Sequence, residues 1–247
     1  MTSKSSSQMS QVIDNKTTDS RWKSLYKVGG VAALIAAVLL LTEIIVFAIW
    51  PLPDTVTDYF ALFQTSKLIG LIDFYLLEFL AYALFIPMFL AIYVAIRRTD
   101  ESFMALGLTL AITGVVVFLA TNNPFSMLSI SNQYAAATTN EQKDLFLAAG
   151  QAILANTNQR AIEGFNMGFL LLSIAGLVIS IVMIKSMTFS KVIAYVGILA
   201  FVISLLDFIR VVFMPSISLL IFIIAITSGL LLLIWLVLIG RRLLQLG

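Results

Sequence analysis

The chain has 247 residues, 60% of them hydrophobic and 11% charged, with a mean hydropathy of +1.03; it is too apolar for a water-soluble domain, so the bilayer is its solvent. A net charge of +2 carried mostly in short connections advertises no nucleic-acid surface. With no Cys and no His, disulfides, thiol nucleophiles, imidazole bases and the usual ligands of zinc, haem and iron–sulfur clusters drop out, so no metal or cofactor is expected.

In chain order, residues 1–20 (MTSKSSSQMSQVIDNKTTDS) are rich in Ser, Thr and Gln and lack an apolar centre. They are expected to form a disordered tail, not a signal peptide. A spanning helix needs about 20 mainly apolar residues, and six runs qualify: 28–50, 68–96, 103–121, 164–184, 192–214 and 216–240. The expectation over 21–247 is therefore an all-α polytopic transmembrane helix bundle with six spans and short amphipathic helices on the outer side. Before the second run, Val56, Tyr59, Phe60 and Phe63 make one apolar face, as in a stretch lying in the headgroup plane. The second run is the longest, and its outer end is expected to follow the interface before turning in.

The connection 123–159 is the one sizeable outer element and is expected to form two short helices. TTNEQKDLF offers a capping box, Thr138 with Glu141 or Thr139 with Gln142, followed by Leu145, Phe146, Ala149 and Ile153 at helical spacing. The tail, the two short inner loops and the C-terminus hold eleven of the fifteen Lys and Arg residues. That asymmetry predicts a multi-pass cell-membrane protein with both termini cytoplasmic. Trp22, Tyr26, Tyr93, Tyr195 and Trp235 read as inner-boundary anchors, and Trp50, Tyr59 and Tyr134 as outer ones. Helices one, three and five meet Pro51, Pro124 and Pro215 at their outer ends, suggesting three hairpins in sequence. The equal spacing of TEIIVFAIWP and LDFIRVVFMP hints at an internal repeat.

Ionisable groups inside spans are costly, roughly 2.5–3.5 kcal/mol each even on insertion scales, and point to function by default. Glu43, Asp73, Glu78 and Asp207 all fall in the outer half, and Arg210 shares a face with Asp207 three residues before it. A pair of that kind either fixes helix packing or belongs to a ligand site. If the second helix is continuous, Lys67, Tyr75, Glu78 and Tyr82 lie close to one face, with Asp73 some 140° from Glu78. Tyr82 then either joins a polar seam or packs in the core. Asn122 and Asn123 follow helix three, and NTNQR with Arg160, then Glu163 and Asn166, opens helix four; these surround the expected mouth, where amides alternatively only cap helix ends. An acid without a cationic partner is held neutral by burial, which makes Glu43 and Glu78 the best proton carriers. Phe79, Phe85, Phe118 and Phe169 read as ordinary lipid or helix contacts.

The order RWKSLYKVGGVAALIAAVLLLTEIIVFAIWP, a long second helix ending AIYVAIRRTD, and a third beginning MALGLTLAITG resembles a prokaryotic family of multi-span membrane proteins described as a domain of unknown function. The resemblance covers most of 21–240 and implies a bacterial or archaeal integral membrane protein, with no catalytic residues to carry over. Three functions follow from the residues. The leading one is binding or transport of a small cation, proton-coupled solute or amphiphile through an outer-half polar cavity built from Glu43, Glu78, Asp207 and Arg210. The second is an accessory or structural subunit associating with other membrane subunits, in which the charged seam fixes helix register. The third is a carboxylate-based lipid-modifying enzyme pairing Asp73 or Glu78 with Asp207, although neither a GxGD nor a DxxD motif is present.

Overall fold

A computed structural model describes residues 21–50, 52–156, 166–213 and 218–247. Among these every regular element is a helix, as expected where backbone polar groups have no water to bond and must satisfy one another. They are α1 (Lys23–Ile49), α2 (Val56–Thr65), α3 (Lys67–Asp73), α4 (Leu76–Ile96), α5 (Glu101–Thr121), α6 (Pro124–Ala136), α7 (Asn140–Asn156), α8 (Met167–Lys185), α9 (Lys191–Phe213) and α10 (Ser218–Leu246). Six of them, α1, α4, α5, α8, α9 and α10, are long and apolar enough to cross a membrane.

The six long helices close into a ring. Each packs on its predecessor and successor in the order α1, α4, α5, α8, α9, α10, and α10 returns to α1. Small residues set these seams, because without a hydrophobic drive between helices close backbone approach supplies the contact. Gly29 and Gly30 are adjacent in sequence and so face different neighbours. A Cβ on Gly29 would come within 2.9 Å of the Pro87 carbonyl oxygen on α4, and one on Gly30 within 3.0 Å of the Gly240 carbonyl oxygen on α10. The outer surface of α1 carries Val28, Val31, Ile35 and Val38, all exposed at helical spacing, so the larger aliphatics face lipid while Ala33 and Ala36 pack inward.

A second, smaller core forms at one end of the ring. Val56, Tyr59, Phe60 and Phe63 of α2 are buried with Phe74 and Met127, against Leu147, Ile153 and Leu154 of α7. The apolar face read from sequence is present, and it is covered by α6 and α7. Gln64 fixes this packing by donating through Nε2 to the Ser131 Oγ at 3.1 Å, and Ser131 Oγ in turn donates to the Phe60 carbonyl at 3.3 Å. α7 begins with the box Thr139 and Gln142: the Gln142 N–H donates to Thr139 Oγ1 at 3.3 Å, and Gln142 Oε1 accepts from the Thr138 and Thr139 N–H groups. Its buried side, however, runs through Gly150, and Leu145 points outward at 65% exposure. This four-helix cap, α2, α3, α6 and α7, sits over the ends of the ring helices that carry the acids.

The second apolar run is not one helix. α3 stops at Asp73, and Tyr75, at φ 62° and ψ 27°, takes the left-handed conformation before α4 starts at Leu76. The single face expected for Lys67, Tyr75, Glu78 and Tyr82 is therefore broken, and the angular count from Asp73 to Glu78 does not apply. Several expected interface anchors are also interior: Tyr26 and Tyr59 are buried, and Trp235 is fully so. Trp50 and Tyr195 remain exposed. Pro51 and Pro215, which carried the suggested repeat, lie outside the described residues.

Candidate functional site

α4 enters the ring without a side-chain cap of its own, since Tyr75 makes no capping hydrogen bond. That leaves first-turn N–H groups in need of acceptors. One is met across the helix interface, where the Glu43 carboxylate of α1 accepts the backbone N–H of Glu78. Glu43 is only 6% exposed, and its Oε1 has no hydrogen-bond partner among the described residues. Glu78 itself, in the first turn of α4, is close enough to Glu43 for their charges to interact. Tyr75 is an electrostatic neighbour of both glutamates and of Tyr59 in the cap.

Both carboxylates line a cavity of about 310 Å3 inside the ring. Asp207 of α9 reaches the same space, as do Tyr82 of α4 and Asn166 before α8. Glu43 and Asp207 each lie six residues from the cap-side end of their helices, roughly 9 Å along the axis. Asp207 is half-buried and is tied to Arg210, whose Nε–H donates to Asp207 Oδ1 at 2.8 Å. Arg210 is 5% exposed, does not itself line the cavity, and its Nη1 and Nη2 find no partner among the described residues. Ser204 and Ser228 join α9 to α10 along the wall through a 2.6 Å hydroxyl contact.

The remaining wall is mostly apolar, with aliphatic residues such as Leu40, Met88 and Leu232 set among aromatic ones. Tyr82 stacks on Phe118 at 3.9 Å between ring centroids and meets Phe169 edge-on at 5.4 Å. Deeper in, Phe201 meets Trp235 edge-on at 5.2 Å, and both line the cavity. Gly229 adds no side chain to the wall, and a Cβ there would have nothing within 4 Å.

Of the sequence-derived candidates, the fold thus brings Glu43, Glu78, Tyr82, Asn166 and Asp207 to one cavity. Asp73 is not among its lining residues. It is 1% exposed in the cap, with Oδ2 unpartnered among the described residues. Arg160 and Glu163 lie outside the described residues. The mouth amides cap helices: Asn123 Oδ1 accepts from the Phe125 N–H, and Asn166 Oδ1 accepts from the Gly168 N–H at 2.8 Å and from the Phe169 N–H at 3.3 Å. Asn122 Nδ2 donates to the Phe118 carbonyl at 3.1 Å.

Sequence reasoning passed over Phe201, Ser204, Ser228 and Gly229, read Trp235 as an inner-boundary anchor, and assigned Phe85 and Phe169 to ordinary contacts. A signal existed. Stepping back from Asp207 by three and six gives Ser204 and Phe201, and stepping on from Glu78 by four, seven and eleven gives Tyr82, Phe85 and Phe89, all on the lining.

Six apolar helices closed around a cavity with an acidic, cap-side end define a polytopic helical integral membrane protein. The chain belongs to the family described as domain of unknown function DUF4386, whose model matches residues 24–240. No curated protein and no solved structure matches it.

Proposed function

We propose that the protein binds, and passes across or into the membrane, a small cation, proton-coupled solute or amphiphile that enters the ring cavity from the cap side, with the cap facing outward and both termini cytoplasmic. The observation carrying this reading is the convergence of Glu43, Glu78 and Asp207, from three different helices, on one cavity. Hydrocarbon penalises each acid singly, whereas a shared polar chamber gives all three a solvated or ligand-neutralised setting. A purely structural role accounts for one Glu43 oxygen, as a cap, and for Asp207, as the partner of Arg210. It leaves Glu78 without a task.

The test is reconstitution into vesicles carrying an internal pH dye, challenged with inorganic cations, amines and amphiphiles. The wild type should give a saturable response that Glu78→Gln abolishes while the variant keeps its unfolding midpoint. No response to any solute, or one that survives in Glu78→Gln, would reject the reading. The lack of cysteine in the chain makes orientation directly measurable: an impermeant maleimide should label Ser129→Cys from outside and Thr99→Cys only after permeabilisation.

A further inference from the structure

We propose that the cavity selects a hydrophobic cation, a protonated or quaternary amine on an apolar body, over inorganic cations. This deepens the proposed function and rests on it. Two features of the same space make the case. At its cap-side end stand Glu43 and Glu78, both lining the space, and Glu43 is more than nine-tenths buried, with Oε1 unpartnered among the described residues. Among the described residues no Lys or Arg lines the cavity with them, so a bound positive charge is the complement that these residues leave to a ligand.

Below the acids the wall changes character. Tyr82, Phe85 and Phe169, and then Phe201 and Trp235, present rings to the space. A bare alkali ion gains little from them after shedding its water and would need a fuller set of oxygen ligands. An organic ammonium gains twice, because its charge meets carboxylates and ring faces while its body replaces water against apolar wall. The volume of about 310 Å3 is at the small end of ligand cavities, which run from about 300 to 1,000 Å3. That fits a compact amine and excludes a two-chain lipid.

The probe is benzyltrimethylammonium, titrated into the full chain in nanodiscs, with potassium as the inorganic comparison. Saturable binding of the probe is expected, weakened at least tenfold by Glu78→Gln. Phe169→Leu keeps an apolar side chain but removes the ring, and should weaken the probe about three- to tenfold, the range a cation–π contact supplies. Unfolding midpoints of both variants establish that each is folded. Gly229→Leu, which projects into space left open by the described residues, should also exclude the probe. Potassium or proton binding that is sensitive to Glu78→Gln, with no competition from the probe, would overturn this inference and leave the proposed function standing. The absence of any binding sensitive to Glu78→Gln would overturn both.

Discussion

Arg210 is the most buried charge on α9, and among the described residues its side chain is held by one polar contact, the 2.8 Å bond to Asp207. A buried ion pair contributes little beyond a well-packed apolar pair, but breaking it by removing one member strands the other charge. Asp207→Asn alone should therefore cost about 3–5 kcal/mol in unfolding stability. Asp207→Asn combined with Arg210→Met should recover most of that loss, as read from denaturation midpoints in one detergent. Asp73 poses the opposite problem, because its carboxylate is buried in the cap with no cation meeting it among the described residues. Burial pushes its pKa above the ordinary carboxylate value. The folded chain then holds the proton more tightly than the unfolded chain does, so this contribution to stability is fully present below about pH 3.9 and is lost as pH rises through the folded value. Asp73→Asn should raise the thermal midpoint at pH 7, with the difference from wild type shrinking toward pH 4.

At the scale of the helices, the seams depend on residues too small to be replaced. A Cβ at Gly114 on α5 would sit 2.9 Å from Leu172 Cγ and 3.0 Å from the Gly168 carbonyl oxygen on α8. Backbone cannot yield as a flexible side chain does, and overpacking of this kind typically costs about 1–3 kcal/mol. Gly114→Ala should lower the unfolding midpoint accordingly, without altering any response carried by Glu78. Element existence was legible in the sequence because run length alone marks a span. Helix facing was not. On α1 the lipid side is Val and Ile and the packed side is Gly and Ala, so both faces are apolar and no amphipathic period separates them. The polar residues broke that degeneracy: Glu43 on α1, Glu78 and Tyr82 on α4 and Asp207 on α9 line the cavity, whereas Arg210 does not. The length of the second run pointed to a turn near its outer end, but the position of the split between α3 and α4 was not legible, because KLIGLIDFYLLEFL contains no proline and its one glycine is not at the break. The left-handed residue is a tyrosine, Tyr75, held against Phe47 at 5.3 Å between ring centroids.

At the scale of the whole molecule, two cores have different solvents. The ring is built inside out, with large aliphatics toward lipid, whereas the cap buries its aromatics against its own helices. Stacking the cap over the acidic end of the ring places Tyr75 next to the two glutamates and Tyr59 of the cap next to Tyr75. Sequence reading located the cap helices but assigned their apolar faces to the membrane surface, since an amphipathic stripe is the same pattern whether lipid headgroups or another helix covers it. The account as a whole stands on the ring cavity being reachable by water and by cations at Glu78. Cysteine-specific modification measures this with no background, because the native chain has no thiol. Glu78→Cys should react with a cationic methanethiosulfonate faster than with an anionic one of similar size, and benzyltrimethylammonium should slow the reaction. A Glu78→Cys thiol as inert as one placed at fully buried Ala81, or one that reacts equally with both reagents and is unprotected, would contradict it.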